Sequence, residues 1–471
     1  MKLFRKSWPL VLLALLFSFS IAFPRAGGAG GHSSSHSSHS SGGGGFGGGG
    51  FGGGGGGGFG GFGFGGIILV IIVVLIFYYL KKKGLIKVDS DDDSDAASQT
   101  AAEADLSVLG EGFDKAAFIE KVSIAFLGIQ EAWTNKNLGK VRRWISDGVY
   151  QRFNAQFTMM NLLEQVNTLS NINIKRIQIV SAEKEGKYSV ITAQVSFTMD
   201  DNFISKKHPE MNEQYDGDTA TEYWTFIKKS DAAGKDLYKT NSCPKCGNQI
   251  NEDGGEVSKC ESCATVTYLG DYDWVLCEIT QAEDYNNRSY ALRSGDAQLA
   301  PLYNEDIDFS AQLMEDKASN AVMQYFESVA TRDFKYMKRF TNDTLAASLE
   351  QDIKNQKPFI FNRLFLNEVD LISCTLANDH YFLNFNIFYS AMKLEPSASG
   401  LKKIDNEVVR QTINLTLCRK AGILPKSKLW SFECPSCGAP YGDTTNTTCQ
   451  YCSAKINSGD NDWVMTDLRQ S

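Results

Sequence analysis

The stretch Cys243-Pro-Lys-Cys246, thirteen residues, Cys260-Glu-Ser-Cys263 and then Gly270-Asp271-Tyr272-Asp273-Trp274-Val275 is written a second time. It returns as Cys434-Pro-Ser-Cys437, eleven residues, Cys449-Gln-Tyr-Cys452 and then Gly459-Asp460-Asn461-Asp462-Trp463-Val464. Each set offers four thiolates in two knuckles, the donor set and spacing of a tetrahedral four-cysteine site, and four sulfurs favour Zn²⁺. The expectation is two structural zinc ions per chain, one held by Cys243, Cys246, Cys260 and Cys263, the other by Cys434, Cys437, Cys449 and Cys452. In the element that follows, Asp271, Asp273, Asp460 and Asp462 either meet a cation or a basic group or, on the simpler reading, turn the chain back from the ribbon. Trp274 and Trp463 then anchor the last strand.

Working outward, the duplication continues upstream. Asn137-Leu-Gly-Lys-Val-Arg-Arg-Trp-Ile-Ser-Asp147 lines up with Asp333-Phe-Lys-Tyr-Met-Lys-Arg-Phe-Thr-Asn-Asp343. Phe118, Val122, Ala125, Ile129 and Trp133 recur at helical spacing. A short helix through Leu138, Val141 and Trp144 follows, and Asp147 stands where an N-cap belongs, ahead of a third helix carrying Val149, Phe153 and Phe157. From Ile172 the apolar period becomes two. Strands are expected through Ile179, over 188–199, over 222–228 and, beyond the cysteines, over 274–279, with Gly186 marking the first turn. The second copy repeats the plan: a helix over 314–329, then strands over 369–376, 381–389, 408–418 and 463–466.

Helices first and antiparallel strands later predict an α+β class, two tandem domains over 113–282 and 313–468. Their zinc ribbons, 243–263 and 434–452, sit inside the last hairpin of each and are expected to lengthen it and clamp its far end. Cys277, Cys374 and Cys418 lie in apolar strand-like stretches and read as core residues.

The N-terminal part carries a different message. Lys2, Arg5 and Lys6 precede an uncharged apolar run, so residues 1–23 read as a signal peptide or a first membrane helix. Residues 24–66, rich in Gly, Ser and Phe, read as a flexible linker in which His32, His36 and His39 are solvated. The run Ile67–Leu80, extended back to about Phe59, is long enough to cross a bilayer. It ends in Tyr78, Tyr79 and Lys81-Lys82-Lys83, an aromatic belt and a basic stop that place the C-terminal body in the cytoplasm. Residues 81–112, acidic after the basic stop, form a disordered tether. A reducing cytoplasm agrees with CxxC pairs as metal ligands rather than disulfides. The net charge of −8 argues against nucleic acid as a partner.

The residues Phe126-Leu-Gly-Ile-Gln-Glu-Ala-Trp133, Leu138, Val141, Arg142, Ile145-Ser146-Asp147, Val149-Tyr150 and Phe153 resemble the opening helices of a Tim44-like domain, over roughly 117–199. That is the membrane-facing domain of a subunit of the mitochondrial inner-membrane protein translocase, found also in bacterial membrane proteins. The resemblance implies a cone-shaped fold of the cystatin or nuclear-transport-factor type with an apolar pocket between sheet and helices. It also implies protein, peptide or lipid binding at a membrane rather than catalysis. The ribbons and the doubled domain depart from the mitochondrial pattern. Two other readings stand beside it: an enzyme using the cone pocket, or a thiol-redox protein using the CxxC pairs. The body after residue 81 has two histidines, His208 and His380, and lacks a nucleophile elbow, a phosphate loop and an HExxH motif.

Overall fold

The computed structural model describes residues 104–471 except 233, 253–254, 286–290, 336, 398–399, 431, 442–445 and 471, and upstream only a small hairpin, Phe23–Arg25 with Gly28–Gly30. The signal or first helix, most of the linker, the apolar run 67–80 and the tether up to 103 lie outside the described residues. Among the described residues no helix is long and apolar enough to cross a membrane.

Both copies build the same body. Helix α1 (Lys115–Thr134) and helix α2 (Asp147–Leu162) precede strands β1 (Gln165–Glu185), β2 (Tyr188–Ser205), β3 (Glu213–Lys229) and β4 (Val275–Gln281). Helix α3 (Ala311–Thr331) and helix α4 (Asp343–Asn355) precede β5 (Ile360–Ala377), β6 (His380–Ser397), β7 (Gly400–Lys403), β8 (Val409–Lys420) and β9 (Val464–Gln470). The sheets run β1-β2-β3-β4 and β5-β6-β8-β9, antiparallel throughout, with β7 a short addition to β6. The expected strands are all present but several are much longer, because their outer ends are polar and carry little alternation. Gly186 makes the β1–β2 turn with φ +57°, a conformation that suits a residue without Cβ.

Each long helix starts on a side-chain cap: Asp114, Ser146, Ser310 and Asn342 accept from the amide three residues on. The cap of α2 is therefore Ser146, and Asp147, expected there, is the first helical residue. Its carboxylate is drawn instead to Arg142. The expected helix through Leu138 to Trp144 is one turn of 3-10 helix, Arg142–Trp144.

The first core gathers Phe118, Phe126, Trp133, Phe153, Phe197, Trp224 and Phe226 between α1, α2 and their sheet. The second gathers Met314, Val322, Phe326, Phe385, Ile387 and Leu415, and it also takes Ala155, Met159 and Leu163 from α2. Helix α2 is thus apolar on two faces, Phe153 and Phe157 inward and Ala155 and Met159 toward the neighbouring repeat. Its counterpart α4 buries only Ala346, Leu349 and Ile353. Through it the two repeats pack together, within a compact unit that takes in residues 1–33 and 102–471. Cys277, Cys374 and Cys418 are buried, as core residues should be.

Candidate metal centres

Between β3 and β4 the chain leaves the sheet, makes a ribbon and returns, and it does the same between β8 and β9. Each ribbon is two knuckles closed by short backbone bridges, Ser242 with Gln249 and Lys259 with Val266 in the first, Glu433 with Pro440 and Thr448 with Lys455 in the second. In every knuckle the residue after the second cysteine adopts positive φ: Gly247, Ala264, Gly438 and Ser453. Its amide returns to the carbonyl of the first cysteine at 2.8–2.9 Å. This tight turn swings both sulfurs to one side, and two glycines make it without steric cost.

The four sulfurs of each set lie within 4.8 Å of one another. Among these pairs, Cys243–Cys263 and Cys246–Cys260 lie at 3.6 Å, Cys434–Cys452 at 3.7 Å and Cys437–Cys449 at 3.8 Å. A tetrahedron of sulfurs about 2.3 Å from a central ion has edges of about 3.8 Å. The sets therefore fit a metal held by four thiolates and are far from the roughly 2.05 Å of a disulfide.

Charge points the same way. The Thr265 hydroxyl and amide pull Cys263 down to about 6, and the amides of Cys452 and Tyr451 pull Cys449 down to about 7. Burial, with neighbouring sulfurs, pushes Cys434 up to about 12. Four thiols this close cannot all ionise unaided, and a dication supplies the missing counter-charge.

The ribbons do not lengthen the hairpin, contrary to expectation. They fold back onto the start of the second helix of their own repeat. In the first, buried Arg142 stacks on Tyr268 at 3.5 Å, donates to the Glu256 and Ile145 carbonyls at 2.6 Å and pairs with Asp147. In the second, Asn457 donates to the Thr341 carbonyl at 3.0 Å and to Asp343 at 2.8 Å, and Lys455 pairs with Asp343 at 2.5 Å. The polar backbone exposed at that helix start recruits the ribbon, which the sheet end cannot.

The two GDxDW elements are structural in the same way. Asp273 caps the Trp274 amide at 2.8 Å and accepts from Lys121 at 2.5 Å and the Leu237 amide at 3.0 Å. Buried Asp462 caps Trp463 at 2.7 Å. Asp271 joins a network with Lys229, Asp308 and Lys428, and Asp460 lies 3.5 Å from His380. Trp274 and Trp463 are buried at the strand starts. The sequence reading missed what braces them. Tyr238 Oη donates to the Trp274 carbonyl and Trp430 Nε1 to the Trp463 carbonyl, both at 2.8 Å. The signal was there, as Asp-Leu237-Tyr238 and Lys-Leu429-Trp430 stand just ahead of each first cysteine.

Between the repeats, where the ribbons face each other, lies a polar cleft of about 110 Å³ lined by Asp147, Tyr150, Glu256, Glu327, Arg339 and Phe432, among others. Lys259 of one ribbon meets Glu433 of the other at 3.4 Å. His208 is buried against Ser205 and His380 is at the β5–β6 turn, both remote from the sulfurs in sequence and in bonding.

Comparison with known proteins places residues 100–239 in the family model described as the Tim44-like domain. The matched stretch takes in α1, α2 and β1–β3 and stops just short of Cys243. No curated protein matches the chain. Among solved structures, an Ntf2-like protein involved in plasmid conjugation aligns at 10% identity, over 53% of this chain and 73% of its own, with a TM-score of 0.15.

Proposed function

We propose, for a chain whose residues 100–239 carry a Tim44-like domain, that the doubled body is a membrane-tethered binding scaffold. It holds a protein, peptide or lipid at the membrane surface, and its two four-cysteine ribbons are structural zinc centres. The single observation that carries this reading is the domain match itself, which covers both helices and three of the four strands of the first repeat. The basic stop at Lys81-Lys82-Lys83 supports a body on the cytoplasmic side of the cell membrane, behind one or two spans. Closed four-thiolate sites leave no coordination position for a substrate.

Crosslinking of the full-length protein in its membrane, followed by affinity purification and mass spectrometry, tests the scaffold role. A reproducible polypeptide or lipid partner is expected. Recovery of the chain alone, with crosslinks confined to itself, overturns it. A C-terminal tag should resist protease added outside intact cells, and its digestion without lysis overturns the orientation.

A further inference from the structure

Near the start of β5, Arg363 has φ +56°, a left-handed conformation that is strained for a residue with a Cβ. It sits in a bulge, since the β5–β6 register slips between Asn362 and Phe365. Its side chain leaves the second repeat and enters the first. There the guanidinium lies 3.2 Å from the centre of the Phe203 ring, and Nη2 meets Glu213 at 2.7 Å. Asp201, 1% exposed, adds a second negative charge facing it. Arginine over an aromatic face beside carboxylates is a favoured arrangement for a cation.

The fit is incomplete. Nε, Nη1 and Nη2 of Arg363 all lack a hydrogen-bond acceptor, Nη2 meeting Glu213 only as an ion pair, and Gln165 Nε2, Gln156 Oε1 and Asn362 Oδ1 are also unpartnered. All four residues line a small cavity of about 20 Å³ between the first repeat and the start of β5, together with Trp133 and Phe203. Buried polar groups left without partners are costly, so the bulge holds its guanidinium on poor terms. Glu213 keeps 28% of its side chain in solvent, which gives the site an outside edge.

We infer that Phe203, Asp201 and Glu213 form a guanidinium-binding site on the first repeat, that Arg363 occupies it from within the chain, and that an arginine side chain of a partner polypeptide is the ligand it fits. Arg363 is a stand-in held by a strained bulge. A partner's arginine, free of that strain, displaces it and reaches the unpartnered acceptors. The inference rests on the binding-scaffold reading and names its partner class.

The test uses full-length protein and N-acetyl-arginine amide as the probe. Arg363→Ala should bind the probe at least about tenfold more tightly than wild type, by calorimetry and by a ligand-induced rise in Tm. Asp201→Asn or Glu213→Gln in the Arg363→Ala background should abolish that gain. The uncharged analogue N-acetyl-citrulline amide should not bind. Absence of any gain in Arg363→Ala with metal content and circular dichroism intact, or equal binding of the citrulline analogue, overturns the site. Should Arg363→Ala not fold, Arg363→Gln is measured instead, and no thermal shift with millimolar probe rejects the proposal. A crosslinked partner found without any probe binding leaves the scaffold standing and removes this site alone.

Discussion

Glu185 lies at the N-terminus of helix α3, where its Oε2 accepts a 2.5 Å hydrogen bond from Ser310 Oγ, and also a 3.0 Å bond from the Gln312 amide. The relation is returned from the other side. Asp316, on α3, accepts from Ser146 Oγ at 2.5 Å and from the Gly148 amide at 3.1 Å, at the N-terminus of α2. Each repeat thus supplies a buried carboxylate to the positive end of a helix in the other, where unpaired amides and the helix dipole favour it. Glu327 adds bonds from Gln151 and Thr158 at 2.9 Å. The two repeats should unfold together.

Burial pushes Asp316 up to about 7, the Ser146 hydroxyl pulling against it and the Asp147 charge adding to it. The folded value is above the unfolded one of about 3.9, so the folded state binds the extra proton between those limits. Stability from this group is full below about pH 4, declines as pH rises and is lost above about 7. Denaturation between about pH 5.5 and 8, with zinc present, should show stability falling with pH by at most ~1.4 kcal/mol per unit. Asp316→Asn should flatten that slope, and an unchanged slope would place the titration elsewhere.

Gly148 sits at the α2–α3 crossing, where a Cβ would run into Asp316 and the Ser319 hydroxyl. Alanine is the better helix former by about 1 kcal/mol. Overpacking should win, and Gly148→Ala should destabilise by roughly 1–3 kcal/mol in urea titrations. At the aligned position of α4 the chain has exposed Thr344, and Thr344→Ala should stay within about 0.5 kcal/mol. A stabilised Gly148→Ala would mean the helices are not this close.

Elemental analysis of anaerobically purified protein should give two zinc ions per chain, from the two sulfur tetrahedra. Cobalt exchanged into the protein should show thiolate charge-transfer bands with tetrahedral ligand-field absorption. Less than one metal per chain overturns the assignment.

Cys246 is exposed, so its replacement removes a ligand while leaving packing alone. Cys246→Ser should reduce the metal content from two to one and loosen the hold of Arg142 on Glu256 and Tyr268. Metal sites of this kind reach roughly 10 kcal/mol in isolated modules, but here the cores fold on their own account. A fall in Tm of about 5–10 °C, still as one transition because the repeats are stitched together, is the expected scan. An unchanged Tm with lost partner capture would make the ribbon a recognition element instead.

The sequence alone determined what repeats locally. The cysteine spacing picked out the two four-thiol sets that the fold gathers, because a knuckle is made by consecutive residues and needs only CxxC and a turn. The 3.6 and 2 periodicities located α1, α3 and the inner parts of the strands, because apolar faces must be written at those intervals. The doubled GDxDW fixed the return into β4 and β9. Tertiary structure decided the rest. Only packing shows that α2 has a neighbour on its outer face while α4 has none, since Ala155 and Met159 are ordinary helix residues until α3 lies on them. Only packing brings Glu185 to Ser310, 125 residues apart, or Arg363 to Phe203. Those contacts have no period and no spacing; they are set by where two independently patterned bodies touch, and a charge there is read as surface until the partner surface buries it.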